Sequence, residues 1–319
     1  MIYILTNSDY DLSTNEVINW LISKKIKFKR LNVNQFQFKE NLKLFLTNNE
    51  KEFIFNGNKI NFEDKCLIWY RRVGINRDDF SHKIDLDFFN FHKFINFRNS
   101  EWSTFMKIFF SLFSSKTIWF DNPINKINKI EVLFAAKRNG LTIPNFIITN
   151  SLENLNSGDY ITKPISEATH FSNQNFVYTM YTKKIKKINK SFLPSLFQEN
   201  IIKKYEIRSF FIDNTFFSMA IFSQNDCKTN VDFRNYNFNR PNRTIPYKLP
   251  KEIENKLIKL MAELQLKTGS IDIIKGIDGA YYFLEVNPVG QFGMVSKPCN
   301  YNIEKWISII LCKKINENN

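Results

Sequence analysis

The sequence predicts an α/β chain whose second half has α+β character, and three observations carry that expectation. The opening alternates strand, amphipathic helix and strand, as a β-α-β module does. From FIIT at 146–149 onward, short β-patterned segments follow one another, and two pairs of them meet at Asp213-Asn214 and Asp278-Gly279, residues suited to tight hairpins. The helices in between have readable start and stop residues.

Taken in order, Ile2 to Leu5 reads as the first strand. Ser13 followed by Glu16 forms a capping box for a helix carrying Val17, Ile18, Trp20, Leu21 and Ile22. Phe28 to Leu31 is the next strand, EFIFNGNKINF a hairpin with Asn58 near its turn, and CLIWYRR a further strand. A Phe-rich helix is expected from about Asp85 to Phe113, and the texture changes at WFDNPINK. There Pro123 opens a helix with Ile127, Ile130, Val132, Leu133 and Ala136 on one face, stopped by Gly140 and Pro144. The strands FIIT, YITKP, FVYTMY and SLFQENII come next, then the EIRSFFI/TFFSMAIFSQ hairpin. A helix from Lys251 to Lys267 ends at Gly269, the hairpin SIDIIKGIDGAYYFLEVNP follows, and a last helix runs from Ile303 to Cys312. The expected division is 1–120, 121–195 and 196–319.

Composition excludes several classes. The chain has 319 residues, 43% of them hydrophobic, and its 33 Phe against 9 Gly and 9 Pro rule out a disordered, collagenous or linker-rich protein. The most apolar run, Ile108 to Phe113, is interrupted by Ser111 and is far too short to span a membrane. No signal-peptide pattern opens the chain, and Cys66, Cys227, Cys299 and Cys312 have neither CxxC nor metal-knuckle spacing. A reduced, cytoplasmic protein is expected. The net charge of +14 suits polyanions: nucleic acid, anionic membrane, nucleotides or acidic peptides. The run Lys183, Lys184, Lys186, Lys187 and Lys190 reads most simply as a solvated strand edge or loop. No Walker A loop or GxGxxG fingerprint exists, His82, His92 and His170 form no metal or triad motif, and GxSxG is missing.

The last hairpin carries chemistry. Counting outward from Asp278-Gly279 as a two-residue turn, Asp272 falls opposite Glu285, with Cβ atoms about 5 Å apart. Asn287, two residues on, shares the face. Opposed carboxylates repel, and a divalent cation relieves them; Asp, Glu and Asn oxygens suit Mg²⁺. The alternative is a solvent-facing acidic pair diluted by lysines, against which stand the apolar neighbours Phe283, Leu284, Val286 and Pro288. Lys163, closing YITKP, and Lys129, in the helix after Asn122-Pro123, offer cations to a polyanion, although each alone also reads as a surface lysine. Glu206 and Arg208 share one strand face, as a binding pair or a salt bridge.

The order NPINKINK, YITKP, LFQENI, KKYEIRSFFI and SIDII…FLEVNP resembles the ATP-grasp superfamily over about residues 120–312. SDYDLSTNEVINWL, WYRR, FSQND and NPVGQFGMVSKPCNY extend the likeness along the chain to the grasp-with-spasm peptide maturases, relatives of microviridin-type macrocyclases that make graspetides. The resemblance implies an ATP-grasp fold: an N-terminal α/β domain, then central and C-terminal subdomains clamping ATP between antiparallel sheets. It implies that Lys129 and Lys163 hold the phosphates, that Gln198, Glu199, Asn200 and Ile201 form the adenine hinge, and that Glu206 takes the ribose hydroxyls. Asp272, Glu285 and Asn287 would bind two Mg²⁺ ions, and Arg208 and Arg234 would stabilise the phosphoryl group or the substrate carboxylate. Arg71 and Arg72 match the WYRR pattern and are candidates for substrate contact. One departure stands out: the phosphate-covering segment SEATHFSNQN has no glycine, leaving Ser166, Thr169 and Ser172 as its hydroxyl donors.

The implied activity is an ATP-dependent ligation. It phosphorylates Asp or Glu side chains of a small ribosomal precursor peptide and joins them to Thr or Ser hydroxyls as ω-ester macrocycles, with lysine giving an amide instead. The implied partner is a precursor with a leader and an acidic core, the leader docking outside the cleft near residues 183–190. A homodimer is expected because such relatives are often dimers; no nucleic-acid or membrane partner is. A ligase that adds a free amino acid to a peptide or protein carboxyl is the nearest rival, and a basic nucleic-acid-binding protein is the rival of another class.

Overall fold

The β-α-β opening forms β1 (Ile2–Thr6), α1 (Leu12–Ser23) and β2 (Phe28–Asn32). The computed structural model describes the chain apart from residues 39, 72, 74–87, 122–126, 152, 154, 156–158, 167–169, 173–176, 180–181, 186–191 and 318–319. Its residues divide into two units, 1–125 with 304–319, and 126–303.

In the first unit Asp11, rather than Ser13, caps α1: its carboxylate accepts from the backbone N–H of Thr14 and from both the Ser13 and Thr14 hydroxyls. An ionised Asp satisfies more open donors there than a serine would. The hairpin is a three-stranded sheet of β3 (Leu42–Leu46), which the sequence pattern did not reveal, β4 (Lys51–Phe55) and β5 (Asn58–Lys59). Its turn is Asn56-Gly57, both left-handed, immediately before Asn58. With β6 (Leu67–Tyr70) and, after the Phe-rich α2 (Phe88–Ser111), β7 (Ile118–Phe120), a parallel sheet is completed in the order β2-β1-β6-β7. Every residue of β1 is buried, as expected for a strand covered on both faces. The abundant phenylalanine is core material: the Phe53 ring lies 4.9 Å from Phe109 at a tilt, and Phe62 meets Phe113 edge to face at 4.9 Å.

The second unit begins with α3 (Lys129–Arg138). Pro123 lies outside the described residues; the residue that starts the helix is Asn128, whose side chain accepts from the N–H groups of Ile130 and Glu131. β8 (Phe146–Thr149), β9 (Tyr160–Lys163), the pair β10 (His170–Ser172) and β11 (Val177–Thr179), β12 (Lys183–Lys184) and β13 (Ser195–Glu199) follow. Four of them make an antiparallel sheet ordered β12-β9-β13-β8. A second antiparallel sheet combines β14 (Lys203–Ile212), β15 (Thr215–Phe222), β16 (Arg243–Tyr247) and, after α4 (Lys251–Glu263), β17 (Thr268–Gly276) and β18 (Tyr281–Asn287). Its order is β16-β15-β14-β17-β18. The helix α4 ends at Glu263 and Gln265 turns left-handed, so Gly269 sits inside β17 instead of stopping a helix. α5 (Gly293–Cys299) and α6 (Ile303–Asn316) close the chain, α6 belonging from Glu304 onward to the first unit. Among the described residues no helix is long and apolar enough to cross a membrane.

Strand alternation sets up the site. Ile207, Ile271, Ile273 and Val286 join one core with Val132 and Leu133 of α3 and Leu257 and Leu260 of α4. Their neighbours along the strands, Glu206, Arg208, Asp272 and Glu285, therefore leave by the other face.

Candidate functional site

That other face borders an open cleft with about 690 Å³ of empty space, lined from both antiparallel sheets of the second unit. Lys163, Gln198 and Glu199 line it from the first sheet, Glu206, Asp272 and Glu285 from the second, and Asn200 and Ile201 from the connection between them. Lys163 lies opposite Leu196, and Ile161 opposite Gln198, so the cation, an apolar side chain and a carboxamide share one sheet face.

Asp272 and Glu285 are directly paired, and Asn287 pairs with Ser270 next along the ladder. The route differs from the one expected. Gly276 donates no two-residue turn: its N–H reaches the Ala280 carbonyl around the three-residue loop Ile277-Asp278-Gly279, with Gly279 left-handed. The register then shifts between Asp272 and Ile273, where Leu284 is the extra residue of a bulge on β18. An odd loop and a one-residue bulge cancel, and the acids meet as if the turn had two residues. The bulge also lets Leu284 and Glu285 line the cleft together.

The electrostatics are uneven. Burial pushes the Asp272 carboxyl up to about 6, with Glu285 adding to the rise and Arg208 opposing it. Arg208 Nη1 stands 3.3 Å from both Asp272 oxygens. Burial would also raise Glu285, but Lys163, Lys129 and Arg234 outweigh it and hold that carboxyl below its usual range. Burial pulls the Lys163 ammonium down, against the charge of Glu285. Arg234 makes a two-pronged pair with Asp232, Nε to Oδ1 at 2.9 Å and Nη2 to Oδ2 at 2.7 Å, and this hydrogen bonding raises its pKa. Among the described residues no three His, Cys, Asp or Glu side chains converge as a metal cluster. The donor set is two opposed carboxylates and a carboxamide, the Asn287 Nδ2 lying 3.4 Å from Glu285 Oε1. All-oxygen donors on two opposed, buried carboxyl groups fit a divalent cation such as Mg²⁺.

Of the other expected residues, Lys129 borders the site and the rest fall elsewhere or outside the described residues. Lys129, the first residue of α3, donates from Nζ to the Ser166 carbonyl at 2.9 Å. Arg71 is buried in the first unit, 5.2 Å from the Trp69 ring, and Arg72 lies outside the described residues. Of the basic run, Lys183 and Lys184 form β12, while Lys186, Lys187 and Lys190 lie outside the described residues, as does Thr169. Two cleft residues, Lys203 and Asp232, and the buried Ser223 beside Glu206 escaped the sequence reading. Lys203 contacts Glu206, Ser223 Oγ donates to Glu206 Oε1 at 2.8 Å, and Asp232 also accepts from the Thr182 N–H at 3.1 Å. Gln198 is 1% exposed, and among the described residues neither of its amide atoms has a hydrogen-bond partner.

A family model for the RimK-like ATP-grasp domain matches residues 125–311. The chain belongs to the RimK-like ATP-grasp family. The two antiparallel sheets facing one cleft are the ATP-grasp fold, and solved structures similar to this chain match it over nearly their whole length. One is a RiPP-associated ATP-grasp ligase of Chryseobacterium gregarium in complex with ADP and a leader and core peptide. It is 22% identical, with a TM-score of 0.79, covering 98% of this chain and 96% of that one. Another is the macrocyclase MdnC of Microcystis aeruginosa MRC bound with precursor peptide MdnA, 25% identical with a TM-score of 0.78 over 98% of this chain and 99% of that one. The ATP-grasp ligase PsnB, complexed with minimal precursor, Mg and ADP, is 18% identical with a TM-score of 0.75 over 99% and 98% of the two chains. A search of curated proteins returned no match.

Proposed function

We propose that this ATP-grasp protein is a cytoplasmic graspetide maturase. It activates Asp or Glu side chains of a ribosomal precursor peptide with ATP and joins them to Thr or Ser hydroxyls as ω-ester macrocycles. The observation that carries the reading is the pairing of Asp272 with Glu285, beside Asn287, in a cleft whose opposite wall supplies Lys163. Ligases of similar fold, in complexes containing precursor peptide, ADP and Mg, support it.

A carboxylate is a poor acyl donor, and an acyl phosphate is a good one. In this reading Lys163 and Lys129 bind the polyphosphate, Gln198 to Ile201 bound the base, and Glu206 meets the ribose. Asp272, Glu285 and Asn287 would hold Mg²⁺, two ions when fully loaded, which supplies charge neutralisation at the transferred phosphoryl group. Arg208 and Arg234 are each already aligned by a carboxylate, so their remaining N–H donors can be directed at the phosphoryl oxygens or the incoming carboxylate. Holding both peptide side chains in one cleft makes ring closure effectively unimolecular.

The test is intact-mass spectrometry of a candidate precursor incubated with enzyme, ATP and Mg²⁺, beside Asp272→Asn and Glu285→Gln. Loss of one or more waters, abolished in both variants, is expected, and mild base then separates ester from amide. A mass gain that needs a free amino acid would assign the rival ligase activity. No ATP turnover with any peptide would overturn the catalytic reading.

A further inference from the structure

The two oxygens of Glu206 have different surroundings. Oε1 takes the Lys203 ammonium and the Ser223 hydroxyl, the latter at 2.8 Å. Among the described residues no hydrogen bond reaches Oε2, although the side chain is only 10% exposed and lines the cleft. Lys203 is more deeply buried still, its side chain 6% exposed, and its Nζ is also 3.5 Å from the Val231 carbonyl. Residues three apart on a regular strand face opposite ways. Lys203 reaches Glu206 because the β14 register breaks between Lys203 and Tyr205. A bulge that turns a lysine inward onto a single carboxylate oxygen places a charged donor in a site that water barely enters, where such a bond is stronger than a neutral one.

We propose that Lys203 is a positioning residue: with Ser223 it pins Oε1 of Glu206, so that Oε2 is presented to the cleft as the acceptor for a sugar hydroxyl, making the site selective for ribonucleotides. The inference rests on the nucleotide reading of the cleft, in which Glu206 already meets the ribose, and adds to it the residue that fixes that carboxylate. Ser223 alone would leave the carboxylate free to rotate about its terminal bond; the ammonium supplies the second fixed direction. The discrimination is against nucleotides whose ribose lacks its hydroxyls, since these leave Oε2 buried and unpaired.

Calorimetric titration with Mg·ADP and Mg·2′,3′-dideoxy-ADP tests it on the full chain. The wild type is expected to favour ADP by about 10-fold or more, the scale of one hydrogen bond to a charged group. Lys203→Met keeps the aliphatic stem and removes the donor. It is expected to lose most of that preference by weakening ADP while leaving dideoxy-ADP nearly unchanged, and Lys203→Arg to restore most of it. Ser223→Ala, a smaller change that the fold absorbs more easily, lowers the same preference by less. Equal weakening of both nucleotides in Lys203→Met, or a wild type indifferent to the sugar, would overturn the proposal. A wild type that binds neither nucleotide would overturn the nucleotide reading itself, a distinguishable failure.

Discussion

Gly290 gives the sharpest test of how the acidic hairpin is held. It follows Asn287-Pro288-Val289 and its φ lies outside the left-handed region, so alanine has no backbone objection there. Space is the objection. An added Cβ would sit 2.2 Å from Ser270 Oγ, 2.4 Å from Ser270 Cβ and 2.6 Å from the Ser270 backbone nitrogen. Ser270 is fully buried and pairs with Asn287 across the β17–β18 ladder. A hydroxyl can rotate away, whereas a ladder nitrogen cannot. Overpacking costs about 1–3 kcal/mol, and a clash with backbone belongs at the upper end. At roughly 2–4 °C per kcal/mol for a unit of this size, Gly290→Ala is expected to lower the melting transition by about 6–12 °C. Two glycines calibrate the scale. Gly279→Ala meets nothing within 4 Å but must hold φ near +86°, a cost of about 1–2 kcal/mol. Gly293→Ala has open space and an ordinary φ, and is expected within about 0.5 kcal/mol of wild type. Thermal unfolding followed by circular dichroism ranks the three. Adding Ser270→Gly to Gly290→Ala should recover only part of the loss, because the nitrogen remains. A Gly290→Ala protein that melts with the wild type, or full rescue by Ser270→Gly, would refute the reasoning.

Three further outcomes follow from the site and its surroundings. Gln198→Met replaces an orphaned, buried amide with an apolar chain of similar size; it is expected to raise the melting temperature by relieving a penalty of about 1–3 kcal/mol while weakening ADP binding, and a variant that does neither removes the amide from the nucleotide contact. Arg208→Met leaves Asp272 buried opposite Glu285 without its counter-charge, a loss of about 3–5 kcal/mol by unfolding measurements; added Mg²⁺ should stabilise the variant more than the wild type, and equal stabilisation would contradict the metal assignment. Burial would raise the Asp11 carboxyl, but the Ser13 and Thr14 hydrogen bonds and the charge of Arg71 hold it below its ordinary value. Its contribution is thus present above the unfolded pKa of about 4 and lost as pH falls through the lower folded value, so a gap of about 1 kcal/mol between wild type and Asp11→Ala should close on acidification. A gap that widens would contradict that sign.

Much of the architecture was legible because it rests on local chemistry. Asp213-Asn214 announced its hairpin and both residues adopt left-handed φ; Gly140 announced the end of α3. The opposition of Asp272 and Glu285 was legible too, although for an incomplete reason, since the loop carries one residue more than expected and the bulge at Leu284 restores the count. Bulges explain most of what was missed. Lys203 drew no attention because a period of two puts residues 203 and 206 on opposite faces, and nothing in NIIKKYEIR marks the register break that brings them together. Asp232 was hidden by distance in the chain, its Thr182 contact spanning fifty residues. Asp11 was passed over for Ser13 because both precede the same apolar run, and only three-dimensional donors distinguish them.

The bulge on β18 has a meaning for anyone wishing to transplant this acidic pair. A plain hairpin with a two-residue turn would copy the spacing from Asp272 to Glu285 and still bring the carboxylates face to face. It would then send Leu284 to the helix-covered side and, by strict alternation, turn Phe283 out of the core and into the cleft, so the graft would lose a core ring as well as the leucine. What must be copied is the defect in the strand, since it alone lets two successive residues, one greasy and one charged, open onto the same chamber.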